Sequence, residues 1–118
     1  MRAAVTVSLI PEVRQGPFVF TGDLVQACQR AAALGFHAIE LFPEDPDTVE
    51  AEELRQVLDD CHLSLAAVGT GAGWFRHQLS FTSSEESIRS QAVDYARRMM
   101  DFAATFSAPI IIGAMQGR

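Results

Sequence analysis

The feature that most constrains this chain is its final apolar run, APIIIGAMQGR at residues 108–118. Residues 109–113 read as a buried strand, followed by a Gly-containing turn that carries Gln116 and Arg118. A continuous apolar run of this length fits a parallel strand covered on both faces. Such a strand needs neighbours and crossover helices. In α/β folds the ligand site lies just beyond the carboxyl ends of the strands, so Gln116 and Arg118 stand at the correct end for one. The chain stops there and reads as the first half of something larger.

The preceding residues supply the neighbours. Residues 4–10 read as a first strand, with Val5, Val7 and Leu9 on one side and Thr6 and Ser8 on the other. Residues 11–16 read as a loop, Gly16-Pro17 as a breaker, and Phe18-Val19-Phe20 as a lid over the strand ends. Thr21 is placed to cap a helix whose inward stripe is Leu24, Cys28, Ala31 and Ala32, with Gly35 ending it. Residues 38–43 form a second strand, Ile39 and Leu41 on one face, Glu40 and Phe42 on the other. Asp47 with Glu50 resembles a capping box for a second helix running to Cys61. Residues 63–68 form a third strand ending in Gly-Thr-Gly-Ala-Gly, and Trp74 to His77 continue this longest loop. Ser83 with Glu86 opens a third helix that runs to about Phe106.

The order is therefore βαβαβαβ, which implies a parallel sheet with right-handed crossovers. The expected fold class is α/β: a parallel half of a (β/α)8 barrel, strands in the order one to four, three helices on one side. At 118 residues the chain is short of the roughly 250 of a complete barrel, so residues 1–118 are expected to form one incomplete domain. A flavodoxin-like or receiver domain ranks last, because a receiver needs acidic residues after its first strand and this chain has Ser8 to Pro11 there.

Charge narrows the partners. The net charge of -6 disfavours non-specific nucleic-acid binding, and no run is long enough to span a membrane. Cys28 and Cys61 fall on predicted helices, outside any CxxC or Cys/His cluster, and read as reduced thiols of a cytoplasmic protein.

A few residues carry chemical potential. Glu40 interrupts an apolar strand on the face that would point into a barrel lumen, alongside Thr6 and Ser8; it is either held by a structural bond or faces a ligand. The stretch Gly69 to Gly73 is either a backbone cradle for a phosphate or a flexible loop. Trp74 suits stacking on a sugar ring, and His77 suits anion binding or proton transfer; the alternative is a loop anchored by Trp74 with His77 in solvent. No Ser/His/Asp set and no carboxylate–His metal set can be assembled.

The segments ALGFHAIELFP, GTGAGWFRHQLSFT and APIIIGAMQGR resemble the amino-terminal half of the sugar isomerase/epimerase superfamily. This is the xylose-isomerase-like TIM barrel group that includes endonuclease IV, and hydroxypyruvate-isomerase-like and sugar-phosphate isomerase/epimerase proteins look most similar. The resemblance implies metal-assisted proton transfer on a small carbohydrate or hydroxy-keto acid. It implies a divalent ion (Mg, Mn, Co or Zn) whose ligands belong to later strands and are not in this chain. It matches Glu40 to the family's strand-two glutamate and residues 69–77 to its substrate-side loop. The substrate-binding candidates are thus Glu40, Gly69, Trp74, His77, Gln116 and Arg118, with the catalytic residues unassigned. The isolated chain is expected to be inactive, and to self-associate or to pair with a complementary half barrel. The competing expectation is a non-catalytic module.

Overall fold

The computed structural model describes residues 2–10, 20–21 and 23–117. Its strands are β1 (Ala4–Ser8), β2 (Phe20–Thr21), β3 (Ala38–Phe42), β4 (Ser64–Gly69) and β5 (Ile110–Ile111). Its helices are α1 (Leu24–Ala33), α2 (Ala51–Cys61), the single turn α3 (Ala72–Phe75) and α4 (Glu86–Ala104). All pairings are parallel, in the order β2-β1-β3-β4-β5. The four expected strands therefore lie side by side in chain order, as half a TIM barrel requires.

Several details depart from expectation. Residues 109–113 are not a strand buried on both faces: β5 is Ile110–Ile111 alone, an edge strand with Ile111 43% and Ile112 40% exposed. The expected capping boxes do not form, since α2 and α4 start after Glu50 and Glu85 with no side-chain cap. Phe20 does not form a lid: with Thr21 it makes a short strand alongside Val7 and Ser8, on the free edge of β1. Phe18 and Val19 lie outside the described residues. The cap of α1 is Asp23, not Thr21; its carboxylate accepts from the Gln26 amide at 2.9 Å. The reason is spacing, since the N-cap acceptor must reach the amide two or three residues on.

The three long helices end in the same way. In α1 the Phe36 amide donates to the Ala31 carbonyl and Gly35 to Ala32, a Schellman closure. Leu63 to Leu58 with His62 to Asp59 repeats it after α2, and Ala108 to Ala103 with Ser107 to Ala104 after α4. The residue at the turn has φ of +89° at Gly35 and +55° at both His62 and Ser107. Only the first is a glycine, so two of the three turns carry a side-chain penalty.

One face of the sheet meets these helices. Val5, Val7, Ile39, Leu41, Leu65 and Val68 are buried in one core with Cys28, Ala31, Leu54, Leu58, Tyr95 and Met99. The opposite face carries Thr6, Glu40 and Ala67, which are register partners across β1, β3 and β4. An extra residue in β4, Ala66, interrupts the register between Ile39 and Glu40. This bulge lets Leu65 and Val68, three residues apart, both face the helices. Higher on the inner face, Ile10, Phe42 and Ala72 form a second small core. Phe42 and Val68 are thus both buried, one on each face of the sheet, whereas Ile111 on the edge strand is 43% exposed.

Candidate functional site

The site grows from residues 69–82. The amides of Thr70 and Gly73 donate to Ile111 and Thr70 carbonyls, and Trp74 and Phe75 donate to Gly71. The Thr70 amide is spent on β5 and those of Gly73, Trp74 and Phe75 on the turn that forms α3, so these four are not offered to a phosphate. The glycines serve contact instead. A Cβ on Gly71 would stand 2.5 Å from Phe42 Cζ, and one on Gly69 2.8 Å from Phe42 Cδ2. The Phe42 ring thus fixes the floor under the loop.

A second contact joins the loop to the chain after β5. Met115 is fully buried, in a 3-10 turn formed by Ala114–Gln116, and its sulfur fills the space a side chain on Gly73 would need. The Phe81 amide donates to the Met115 carbonyl at 2.9 Å. Gly117 (φ +81°) lies directly against the Ser80 and Thr82 hydroxyls, which are 3.1 Å apart.

Between these two segments lies a cavity of about 610 Å3, lined by Trp74, Ser80, Gly113, Ala114, Gln116 and Gly117. Trp74 is 45% exposed and Gln116 is also open to solvent. An indole face, a hydroxyl, a carboxamide and glycine backbone make a neutral, hydrogen-bonding wall with one stacking surface.

The other candidates are distributed around this wall. Glu40 sits on the inner face, half-buried, with no hydrogen bond or ion pair to another described residue. Among the described residues no buried side-chain polar atom lacks a partner. Gly69 ends β4 beneath the Phe42 ring. Arg118 lies outside the described residues.

His77 is neither in the cavity nor simply solvated. Its Nε2 is 4.0 Å from Asp45 Oδ2 and its ring lies 5.7 Å from that of Tyr95 on α4. Arg98 grips Asp45 through both guanidinium nitrogens at 3.1 and 3.4 Å, and the Tyr95 hydroxyl donates to the Glu44 carbonyl at 2.9 Å. Burial alone would raise the Asp45 carboxyl, but the Asp47 amide, Arg98 and His77 outweigh it and hold it below 3.8. Burial, with Asp45 nearby, pushes the Tyr95 hydroxyl well above its ordinary value and keeps it neutral. This cluster ties the loop after β3 and the loop after α3 to α4.

Sequence reasoning missed Ser80, Met115 and the Asp45–Arg98 pair. Asp45 follows the second strand at its carboxyl end, a position that could have raised it. Nothing local marks Arg98, more than fifty residues on, as its partner.

Among the described residues no three His, Cys, Asp or Glu side chains come together to hold a metal ion. The described residues by themselves assemble no ligand set for the divalent ion that the resemblance implied, whose ligands it assigns to later strands. No described helix is long and apolar enough to cross a membrane.

No curated protein matches the chain. Among solved structures, an AP endonuclease, family 2, from Brucella melitensis superposes with a TM-score of 0.55 at 17% identity. The match covers 92% of this chain and 38% of that one, so the present chain spans well under half of its structural neighbour. At that identity the likeness concerns fold alone. It agrees with the parallel order of the strands and the helices on one face. The family described as xylose isomerase-like TIM barrel matches residues 28–118, from the middle of α1 through the turn after β5, and the chain belongs to that family.

Proposed function

We propose that this chain supplies one wall of the carbohydrate site of a sugar or sugar-phosphate isomerase/epimerase, acting on a small carbohydrate or hydroxy-keto acid. The observation that carries it is the cavity between Trp74 and Gln116 at the carboxyl end of a parallel sheet. Sugars present C–H faces that stack on an indole and hydroxyls that pair with amides and hydroxyls. In this role Trp74 stacks on the ring. Gln116 and Ser80 bond its hydroxyls, and Glu40 accepts from a hydroxyl deeper on the inner face. The proton-transfer groups, and any divalent ion, would come from strands beyond β5, so the 118 residues alone bind without turning substrate over.

Trp74 is the only tryptophan, so intrinsic tryptophan fluorescence reports on the surroundings of this one side chain. Titration with a panel of aldoses, ketoses and hydroxypyruvate should shift that fluorescence saturably, and Gln116→Ala should weaken the response. No saturable change with any member would refute the carbohydrate reading.

A second reading, a half barrel that pairs with its own copy or a complementary half, is favoured by Ile111 and Ile112, 43% and 40% exposed at the β5 edge. Sedimentation at micromolar concentration separates the two. A concentration-independent monomer would end it.

A further inference from the structure

Trp74 belongs to two cavities. Besides the one it shares with Gln116, it lines a second of about 440 Å3 with Phe75 and Gln78. We propose that this second cavity is a ring-binding subsite continuous with the first, so that the site takes a sugar bearing a second, flat ring and not only a free small sugar. The proposal rests on the carbohydrate reading of the first cavity.

Three observations carry it. The first is composition. One cavity offers a hydroxyl, a carboxamide and backbone beside the indole, whereas the other offers two aromatic rings and a single carboxamide. The second cavity thus adds a second aromatic face to the indole while keeping polar surface open, which suits a flat ring that carries polar substituents.

The second is exposure. Phe75 is 59% exposed and its neighbour Trp74 45%, on a helix of one turn. Buried Ala72 and Gly73 precede them and buried Leu79 follows, so the local sequence has apolar groups to hide and hides those instead.

The third is rigidity. The Phe75 amide donates to Gly71 at 3.1 Å, Gln78 to Trp74 at 3.0 Å and Leu79 to Gly73 at 2.8 Å. Gln78 holds the left-handed conformation at φ +53°, which turns the chain back so that Leu79 can pack into the core. Both aromatic rings therefore stand on a segment pinned from behind, and a pinned wall loses little freedom when a ligand ring settles on it.

The test compares methyl glucoside with phenyl glucoside, titrated into the chain by calorimetry alongside Trp74 fluorescence. The phenyl compound should bind roughly three- to tenfold tighter, the worth of one aromatic contact. Phe75→Ala should bring the phenyl compound down to the affinity of the methyl one, and Phe75→Leu, which keeps bulk without a flat ring, should do most of the same. Gln116→Ala should weaken both ligands. Equal binding of the two glucosides by the parent chain would overturn the subsite and leave the first cavity standing. A Phe75→Ala chain that keeps the phenyl preference, or changes only its sedimentation, would also overturn it. Failure of both glucosides to bind would sink the subsite together with the reading beneath it.

Discussion

Gly73→Ala is a stringent test of how the site is built. Gly73 sits in α3, where alanine would ordinarily be favoured by up to about 1 kcal/mol. Here the added methyl would meet the Met115 sulfur and stand 2.9 Å from Tyr95 Cε1. Tyr95 cannot retreat easily, because its hydroxyl is tied to the Glu44 carbonyl and it is 1% exposed. The relief must come from Met115, which is fully buried and is the residue before Gln116. Overpacking of this kind costs about 1–3 kcal/mol. With two buried side chains in the way the cost lies in the upper part of that range, so set against the helix gain the net is a loss of about 1–2 kcal/mol, or about 4–8 °C in melting temperature for a domain of this size. Met115→Ala alone should cost about 2–4 kcal/mol by opening a cavity. The double variant should cost clearly less than the two together, with a coupling of about 1 kcal/mol. Urea melts followed by circular dichroism supply all three values. A Gly73→Ala chain as stable as its parent, or strictly additive costs, would refute the claim that Gly73 and Met115 occupy one space.

Other outcomes follow from single contacts. Asp45 is held below its ordinary value in the folded chain, so its contribution is complete above that value and is lost as pH falls through the lower folded one. The parent should therefore lose melting temperature below about pH 3.8, and Asp45→Asn should be less stable at neutral pH but lose less on acidification. Ser107→Gly relieves a left-handed serine and should stabilise the chain by roughly 0.5–1 kcal/mol in the same melts. Glu40→Gln should change stability by no more than about 0.5 kcal/mol, since no described residue holds the carboxylate; a larger loss would reveal a structural bond. Burial first, and Cys61 second, push the Cys28 thiol up to about 11, so an aromatic disulfide reagent near neutral pH should titrate Cys61 alone until urea exposes Cys28.

The parts of the fold legible in the sequence were those set by pattern. Glu40 opposite Ile39 and Leu41 follows from the period of a strand, and the parallel order follows from the alternation of strands and helices. The turn at Gly35 was legible because glycine marks it; those at His62 and Ser107 carry no such mark. What was not legible depends on residues distant in the chain. The run from Gly69 to Gly73 invites a phosphate or a flexible loop, yet its glycines are small because Phe42 and Met115 press on them. His77 in isolation suggests an anion site. Only the folded chain brings Asp45 and Tyr95 to it and turns it away from the cavity that Trp74 shares with Gln116.

The order β2-β1-β3-β4-β5 also has a consequence for how the chain is made. β3 adds to the free edge of β1, and from β4 onward each strand adds to the edge left by the one synthesised just before it. None has to wait for a later strand or slip between two earlier ones. A nascent chain can therefore lay down its sheet as it emerges, with its amino-terminal part folding first. The wall around Trp74 is the exception, because it needs Met115 and Gln116 to close over Gly73. Within these residues the cavity beside Trp74 closes after the sheet, and a chain cut before Met115 keeps its sheet and loses that cavity.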